Sequence, residues 1–150
     1  MDLTKEFPGL KFAADRIFMW SPSLQTVFFD TRRINSAGGK IALLHEIGHA
    51  TLGHTTYKYD MQLLGMEMDA WDFVRQNAPK FKLVIDESHI AKCIEGYDHW
   101  LSKRATCPDC ANFSLQRSHN DFMCFACGST WQVNRRLDRR VKRTVTKRFY

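Results

Sequence analysis

Apolar side chains recur at helical spacing between residues 37 and 53, at Ile41, Leu44, Ile47 and Leu52. Positions three and four apart share one face of a helix, so this pattern predicts an amphipathic helix of about four turns. Asn35 or Ser36 suits its amino-terminal cap, and Gly53 suits its carboxy-terminal end. The polar residues inside this helix are therefore held at a known spacing.

Two later segments have the same period. Residues 60–78 place five apolar side chains on one broad face, namely Leu63, Leu64, Ala70, Trp71 and Val74. Residues 86–103 carry a second stripe, formed by Ile90, Ile94, Tyr97 and Leu101. Earlier in the chain, residues 16–20 and 24–29 flank a Ser-Pro-Ser turn and have the composition of a β-hairpin. The chain is thus predicted to combine a hairpin with three amphipathic helices.

The first helix contains HEIGH at residues 45–49, an H-E-x-x-H pattern. Because residues four apart lie on one helix face, His45 and His49 can offer two imidazole nitrogens to a single Zn²⁺. Zinc lowers the pKa of a bound water to about 7, and Glu46 is placed to take its proton. The pattern therefore predicts a catalytic zinc site with Glu46 as the base. The alternative is a helix with two surface histidines and an unrelated glutamate.

A catalytic zinc site needs a third protein ligand. Glu67 lies within the apolar face of the 60–78 segment, where a carboxylate is costly to bury unless it is paired or bound to metal. Asp69, on the polar side of that segment, is one alternative. His54 is another, although it comes one residue too early for the H-E-x-x-H-x-x-G-x-x-H spacing. Glu67 is the preferred candidate, and the other two remain open.

HEIGHATLGH, followed by Glu67-Met68-Asp69-Ala70, resembles the ImmA/IrrE family of zinc peptidases and, more broadly, a minimal gluzincin. The resemblance covers roughly residues 15–78, about half of the chain. It implies that the two motif histidines and Glu67 are metal ligands and that Glu46 is the catalytic base. It also implies a zincin-like core whose substrate groove is lined by a strand, and a repressor protein as the substrate.

A second resemblance is to the SprT/Spartan group, which joins an H-E-x-x-H helix to a zinc ribbon and cleaves proteins bound to DNA. That group takes its third zinc ligand from a histidine in a later segment. His54 is the nearest substitute in this chain.

Four of the five cysteines form two CxxC pairs separated by 13 residues: Cys107, Cys110, Cys124 and Cys127. Each pair can direct two thiolates at a common centre, and two pairs close a tetrahedral site with no open position. Residues 113–117 and 130–133 alternate like short strands, as in a zinc ribbon. We therefore expect a structural zinc here. The fifth cysteine, Cys93, lies on the apolar stripe of the 86–103 segment and is interpreted as a core residue.

The net charge of +6 is concentrated in the last third of the chain, where residues 103–150 hold 11 Lys and Arg against 3 Asp and Glu. Eight of these cations follow residue 134: Arg135, Arg136, Arg139, Arg140, Lys142, Arg143, Lys147 and Arg148. A basic run beside a zinc ribbon favours contact with nucleic-acid phosphates. The alternatives are a solvated tail and a tail packed on an acidic face of the catalytic domain.

The predicted fold class is α+β. A small zincin-like core, made of the hairpin, the H-E-x-x-H helix and the Glu-bearing helix, would precede a Cys₄ zinc ribbon. The predicted domains are residues 1–104, the ribbon at 105–134 and a basic tail at 135–150, with a short hinge at 103–106. No apolar run approaches the ~20 residues of a membrane span, and the first residues lack a signal-peptide pattern. We therefore expect a cytoplasmic protein that does not contact membranes.

These features predict a hydrolase, specifically a zinc metalloprotease that cleaves an intracellular protein with metal-activated water. Its cofactors would be one catalytic and one structural Zn²⁺. Its substrate would be a DNA-bound regulator or another DNA-associated protein, reached through nucleic-acid binding by the ribbon and tail. The alternative is a nucleic-acid-binding zinc-ribbon adaptor, in which the H-E-x-x-H zinc is structural or vestigial. Glu46 favours the enzyme, because a structural site needs no base.

Overall fold

The computed structural model describes residues 2–135 and 139–148, which form a mixed α+β fold. The helices are α1 (Leu3–Glu6), α2 (Ala37–Thr51), α3 (Asp60–Asn77) and α4 (Glu87–Ala105), with a 3-10 turn at Ala78–Phe81. The strands are β1 (Lys11–Asp15), β2 (Met19–Ser21), β3 (Thr26–Asp30), β4 (Leu115–Ser118), β5 (Asp121–Met123), β6 (Thr130–Val133) and β7 (Arg143–Lys147). The chain divides into two compact units. The first unit contains the residues up to Thr56 and Gly65–Ile90, and the second contains Tyr57–Leu64 and the residues from Ala91 onward.

The first unit holds a three-stranded sheet in the order β1-β3-β2. The predicted hairpin is confirmed: β2 and β3 are antiparallel, with Trp20 opposite Val27. The turn between them contains Gln25 with a φ of 49°. The sequence pattern does not predict β1, which pairs in parallel with β3 and places Phe12 opposite Val27. β3 is therefore the central strand, and β2 is an edge strand.

Helix α2 has well-formed caps at both ends. The hydroxyl of Ser36 accepts a hydrogen bond from the N–H of Gly39 at 3.0 Å, which confirms one of the two predicted caps. At the other end Gly53 adopts a φ of 70°, and its N–H donates to the carbonyl of Ala50. Glycine adopts this left-handed conformation without steric cost. The helix therefore ends where the sequence predicts, and the chain reverses there.

α2 is buried on two sides rather than along one stripe. Its fully buried apolar residues are Leu43, Leu44 and Ile47. One side packs on β2 and β3, and the other approaches α3, where a Cβ atom on Gly48 would lie 3.1 Å from the ring of Phe73. The predicted burial of Leu52 is wrong: this side chain is 47% exposed, because it belongs to the cap after the last turn.

The second unit holds a four-stranded antiparallel sheet in the order β4-β5-β6-β7. Phe122 on β5 and Trp131 on β6 are buried and stack with their ring centroids 5.6 Å apart. β4 and β6 lie where the sequence predicts strands. β7 lies within the segment predicted as a tail, and its Val145 pairs opposite Trp131. The basic segment therefore supplies a strand of this sheet.

Arg104, near the end of α4, is buried inside the second unit and is fully engaged. Its guanidinium donates to both carboxylate oxygens of Asp60, at 2.7 and 3.1 Å, and to Asn120 Oδ1 at 2.7 Å. Its Cζ atom lies 4.3 Å from the centroid of the Trp100 ring. The predicted hinge at 103–106 is wrong, since residues 103–105 are the end of α4 and one of them anchors the unit. The sequence suggests a domain boundary at residue 104, but the side chain of this residue is buried within the second unit.

Gly39→Ala should destabilise the protein by roughly 1–3 kcal/mol or more, because the added Cβ would lie 1.8 Å from the carbonyl oxygen of Arg33. Gly38→Ala is the matched control, since its Cβ would meet nothing within 4 Å and alanine is the better helix former. Thermal unfolding of both variants at equal metal load measures the difference. Equal melting temperatures would contradict the close approach of α2 to Arg33.

Candidate metal centres

The first candidate centre joins α2 to α3 within the first unit. His45 and His49 lie one turn apart on α2, Glu67 lies on α3, and all three are buried. His45 Nε2 is 3.1 Å from His49 Nε2 and 3.1 Å from Glu67 Oε2. His49 Nε2 is 3.4 Å from Glu67 Oε1. The two imidazole nitrogens and the two carboxylate oxygens thus lie close together in one cluster.

The separations of 3.1 to 3.4 Å within this cluster match those between neighbouring ligand atoms of a tetrahedral zinc site. With Zn–N bonds of about 2.0 Å, tetrahedral geometry separates neighbouring ligand atoms by about 3.3 Å. Two imidazole nitrogens and a carboxylate that face one another also have too few protons to satisfy every contact, whereas a cation in their midst satisfies all of them. The donor set therefore fits a metal ion, with a fourth position left for water or substrate.

The Glu67 carboxyl is buried, and burial raises its pKa. With His45 and His49 protonated and no metal bound, their hydrogen bonds and charges outweigh this effect and lower the pKa of Glu67 to about 2. A bound cation would take the place of these protons. A buried negative charge of this kind is stable only with a positive or strongly donating partner. Glu67 is therefore suited to be an anionic metal ligand.

The structure distinguishes among the three candidates for the third ligand. It brings Glu67 into the cluster and leaves Asp69 and His54 out of it. Asp69 is exposed on α3. The Nδ1 atom of His54 lies 2.8 Å from His49 Nδ1, the ring nitrogen of His49 that does not face the cluster. Burial, together with the neighbouring His49, lowers the pKa of His54.

Glu46 lies beside the ligand pair and is anchored to the edge strand β2. Its Oε2 atom accepts a hydrogen bond from the backbone N–H of Trp20 at 2.7 Å. The indole N–H of Trp20 in turn donates to the carbonyl of His54 at 2.7 Å. The sequence does not predict these contacts, because the residues involved are 26 and 34 positions apart. The carboxylate is thus held at a defined place next to His45.

A cleft of about 630 Å³ opens onto His45 and Glu46. Its apolar lining includes Phe18, Ile41, Trp71, Val84, Ile85 and Ile90, and Arg16 and Arg33 also line it. The ring centroid of Trp71 lies 4.3 Å from that of His45. The apolar stripe on α3 predicts Trp71 as a core residue only, but its indole ring also packs on a candidate metal ligand. The cleft therefore combines an apolar surface with the candidate metal centre.

The second candidate centre consists of four cysteines in the second unit. Cys107 and Cys110 follow α4, and Cys124 and Cys127 lie between β5 and β6. The Sγ atoms of Cys107 and Cys127 are 3.7 Å apart, those of Cys110 and Cys124 are 3.5 Å apart, and all four lie within 4.8 Å of one another. Zn–S bonds of about 2.3 Å would separate tetrahedral sulfurs by about 3.8 Å, whereas a disulfide separates them by about 2 Å. The four thiols therefore fit a metal ion better than two disulfides.

Backbone geometry also prepares the second centre for a cation. Gly128 has a φ of 77°, and its N–H donates to the carbonyl of Cys124 at 2.8 Å. Burial raises the pKa of the Cys124 thiol, but hydrogen bonds from the backbone N–H groups of Cys127 and Ala126 and from neighbouring side chains lower it to about 6. A thiolate is the form of cysteine that binds metals.

The eight basic residues predicted to contact phosphates fall into different environments. The guanidinium of Arg143 donates to the carbonyl of Thr106 at 2.7 Å, and that of Arg148 donates to Asp109 at 3.2 Å. These two cations hold β7 and the residue after it against the ribbon. Five other cations of this set are also at exposed positions: Arg135, Arg139, Arg140, Lys142 and Lys147. Arg136 lies outside the described residues.

Comparison with protein-family models, curated proteins and solved structures finds no match for this chain. None of the helices in the described ranges is long and apolar enough to cross a membrane. Within those ranges, the groups able to hold a metal ion are His45-His49-Glu67 and the four cysteines. These two groups of residues are therefore the features of the chain that point to a function.

Glu67→Gln should reduce bound metal from two ions per chain to one, because a neutral amide is a much weaker ligand than a carboxylate. Asp69→Asn makes the same chemical change two residues away, on an exposed side chain, and should leave both ions bound. Elemental analysis and native mass spectrometry of the purified variants would count the ions, with the four-cysteine site as internal reference. An empty site in Asp69→Asn and a full one in Glu67→Gln would transfer the ligand role to Asp69.

Proposed function

We propose that the chain is a zinc-dependent metallopeptidase with a small zincin-like core, and that it cleaves a protein substrate. The observation that carries the proposal is the position of Glu46, a carboxylate that lines a cleft directly beside the cluster of His45, His49 and Glu67. Structural zinc sites are closed by four protein ligands and need no base. A site with three ligands and an adjacent carboxylate has the parts that metal-assisted hydrolysis requires.

Each residue has one role in the proposed reaction. His45, His49 and Glu67 would hold the metal. A Zn²⁺ held there would supply Lewis acidity, the property that lowers the pKa of a bound water and polarises a carbonyl group. Glu46 takes the proton of the attacking water and passes it to the leaving amine. The hydrogen bond from the Trp20 N–H keeps the Glu46 carboxylate in place during both transfers.

The cleft supports an extended polypeptide as the substrate. Strand β2 is at the edge of its sheet and reaches the base through Trp20, so a segment bound along this edge would pass Glu46. The apolar lining by Phe18 and Ile41 suits apolar side chains, and the cation of Arg16 suits an acidic one. The proposed substrate is therefore a protein with an accessible extended segment.

The competing hypothesis is a zinc-ribbon adaptor whose H-E-x-x-H metal is only structural. Because both candidate centres have complete ligand sets, the number of bound ions does not separate the two hypotheses. The features that favour the enzyme are those with no use in an adaptor, namely an anchored Glu46 and a cleft that opens onto it.

Glu46→Gln should lower the rate of proteolysis by about 100-fold or more, since general acid–base catalysis contributes factors of that size. Metal content and melting temperature should change little, because glutamine keeps an acceptor for the Trp20 N–H. The measurement is cleavage of a fluorescently labelled unfolded protein, together with a proteomic screen of lysate for fragments that appear only with the unmodified enzyme.

Asp69→Asn, an equal charge change outside the cluster, serves as the control and should cleave normally. If the Glu46→Gln preparation cleaves as fast as the unmodified protein, the activity belongs to another protease. If the unmodified, fully metallated protein produces no fragments in either assay, the adaptor becomes the better hypothesis.

A second part of the proposal concerns targeting by nucleic acid. Arg139, Arg140 and Lys142 are exposed in the connection between β6 and β7 and lie close in sequence to one another. Phosphate contacts by such a group release counterions and carry no base specificity. Removal of the whole segment after Asn134 is a poor test, because it also removes β7 from the sheet.

Replacement of Arg139, Arg140 and Lys142 by Gln should weaken binding to single- and double-stranded DNA, and should reduce the slope of log K against log salt by about 2–3. A control with Lys11, Lys82 and Lys92 changed to Gln removes the same charge from exposed positions elsewhere. Fluorescence anisotropy at two salt concentrations measures both. Equal weakening in the two triple variants would show an effect of net charge alone, and no binding by the unmodified chain at low salt would exclude this targeting.

A further inference from the structure

His54, three residues beyond the end of α2, is turned back onto the candidate metal cluster. Gly53, in its left-handed conformation, reverses the chain, and the N–H of His54 donates to the carbonyl of His49 at 3.0 Å. The carbonyl of His54 accepts the indole N–H of Trp20 at 2.7 Å. The backbone of His54 is therefore held at both of its polar groups, and its ring is held beside the ring of His49.

The two imidazoles of the cluster are supported in different ways. His49 Nδ1 lies 2.8 Å from His54 Nδ1. His45 Nδ1 is buried and has no hydrogen-bond partner among the described residues, and its ring packs on Trp71 with the centroids 4.3 Å apart. Within the part of the chain described, His49 Nδ1 thus has a hydrogen-bond partner, His54, whereas His45 Nδ1 has none.

The chemistry of a metal-binding imidazole assigns a direction to this hydrogen bond. His49 presents Nε2 to the cluster, so this atom must keep its lone pair, and the proton of the neutral ring is then on Nδ1. That N–H can donate to His54 Nδ1, provided that His54 carries its own proton on Nε2. With the hydrogen bond in this direction, the pairing stabilises the tautomer of His49 that is competent to bind a metal.

We propose that His54 is a positioning residue of the metal centre: it accepts the Nδ1–H of His49 and so fixes the tautomer and orientation of that ligand. This inference rests on the proposed metal site, but it does not require that the site be catalytic. It also gives the closely spaced third histidine of HEIGHATLGH a role other than that of a ligand.

The test compares variants that keep or remove the acceptor at the position of Nδ1. Asparagine places its Oδ1 at the corresponding position, so His54→Asn should keep zinc affinity within a few-fold of the unmodified chain. His54→Leu fills the space without an acceptor and should weaken zinc binding at the first centre by about 10- to 100-fold, as loss of such outer partners does. His54→Ala is a second acceptor-free variant, for use if leucine prevents folding.

Zinc affinity is measured by competition with a chromophoric chelator, on the whole chain, with the four-cysteine site as an internal reference. Cobalt substitution adds an absorption spectrum that reports the first ligand shell. We expect Leu and Ala to lower affinity with an unchanged ligand set, and Asn to restore it. Unchanged affinity in the acceptor-free variants would overturn the proposal, and so would an Asn variant as weak as Leu, which would indicate a packing role.

Complete loss of zinc in the Leu, Ala and Asn variants, with zinc retained by Glu67→Gln, would also overturn the proposal, because His54 would then be a ligand. None of these readouts depends on proteolysis. A chain that binds zinc as expected but cleaves nothing would therefore contradict the proposed peptidase function and leave the role of His54 supported.

Discussion

A buried carboxylate that requires a positive partner is the constraint on which the first unit depends. Glu67 is only 7% exposed, and its oxygens face two imidazole nitrogens that must be unprotonated to act as ligands. An uncompensated charge in such a place costs several kcal/mol. A cation bound between α2 and α3 would remove this penalty. It would also couple metal binding to the packing of these two helices, which approach closely at Gly48.

The second unit also contains charged groups that need compensation, and it compensates them in two different ways. The buried guanidinium of Arg104 is neutralised by Asp60 and hydrogen-bonded by Asn120, so no external ion is needed. Four thiolates with one Zn²⁺ would carry about −2, and the cation of Arg148 reaches Asp109, within the first CxxC turn. The positive charge of the last residues thus has a structural use in the ribbon besides any contact with nucleic acid.

Trp20 connects the residues around the candidate metal centre through both its backbone and its side chain. The N–H of Trp20 holds the Glu46 carboxylate, and its indole holds the carbonyl that follows the turn at Gly53. The edge strand and the helix end are therefore joined through one tryptophan. In the proposed peptidase this joint would keep the base, the ligand His49 and its partner His54 in fixed relation, which is the preorganisation that metal-assisted hydrolysis needs.

Local spacing within the sequence determined much of the candidate chemistry. The helical period puts His45 and His49 on one face and places Glu67 in an apolar stripe, and two CxxC turns define a four-thiolate site. The helical period and the spacing inside each CxxC pair involve residues a few positions apart, where backbone geometry alone fixes the distance. Tertiary structure decided the rest: it joined Glu67 to the histidines, Glu46 to Trp20 and β7 to β6, and it left Asp69 exposed. It also gave Arg143 and Arg148 partners on residues far away in the sequence, Thr106 and Asp109. Such pairings depend on the burial and hydrogen bonding of segments far apart along the chain, and no local pattern of residue types specifies them.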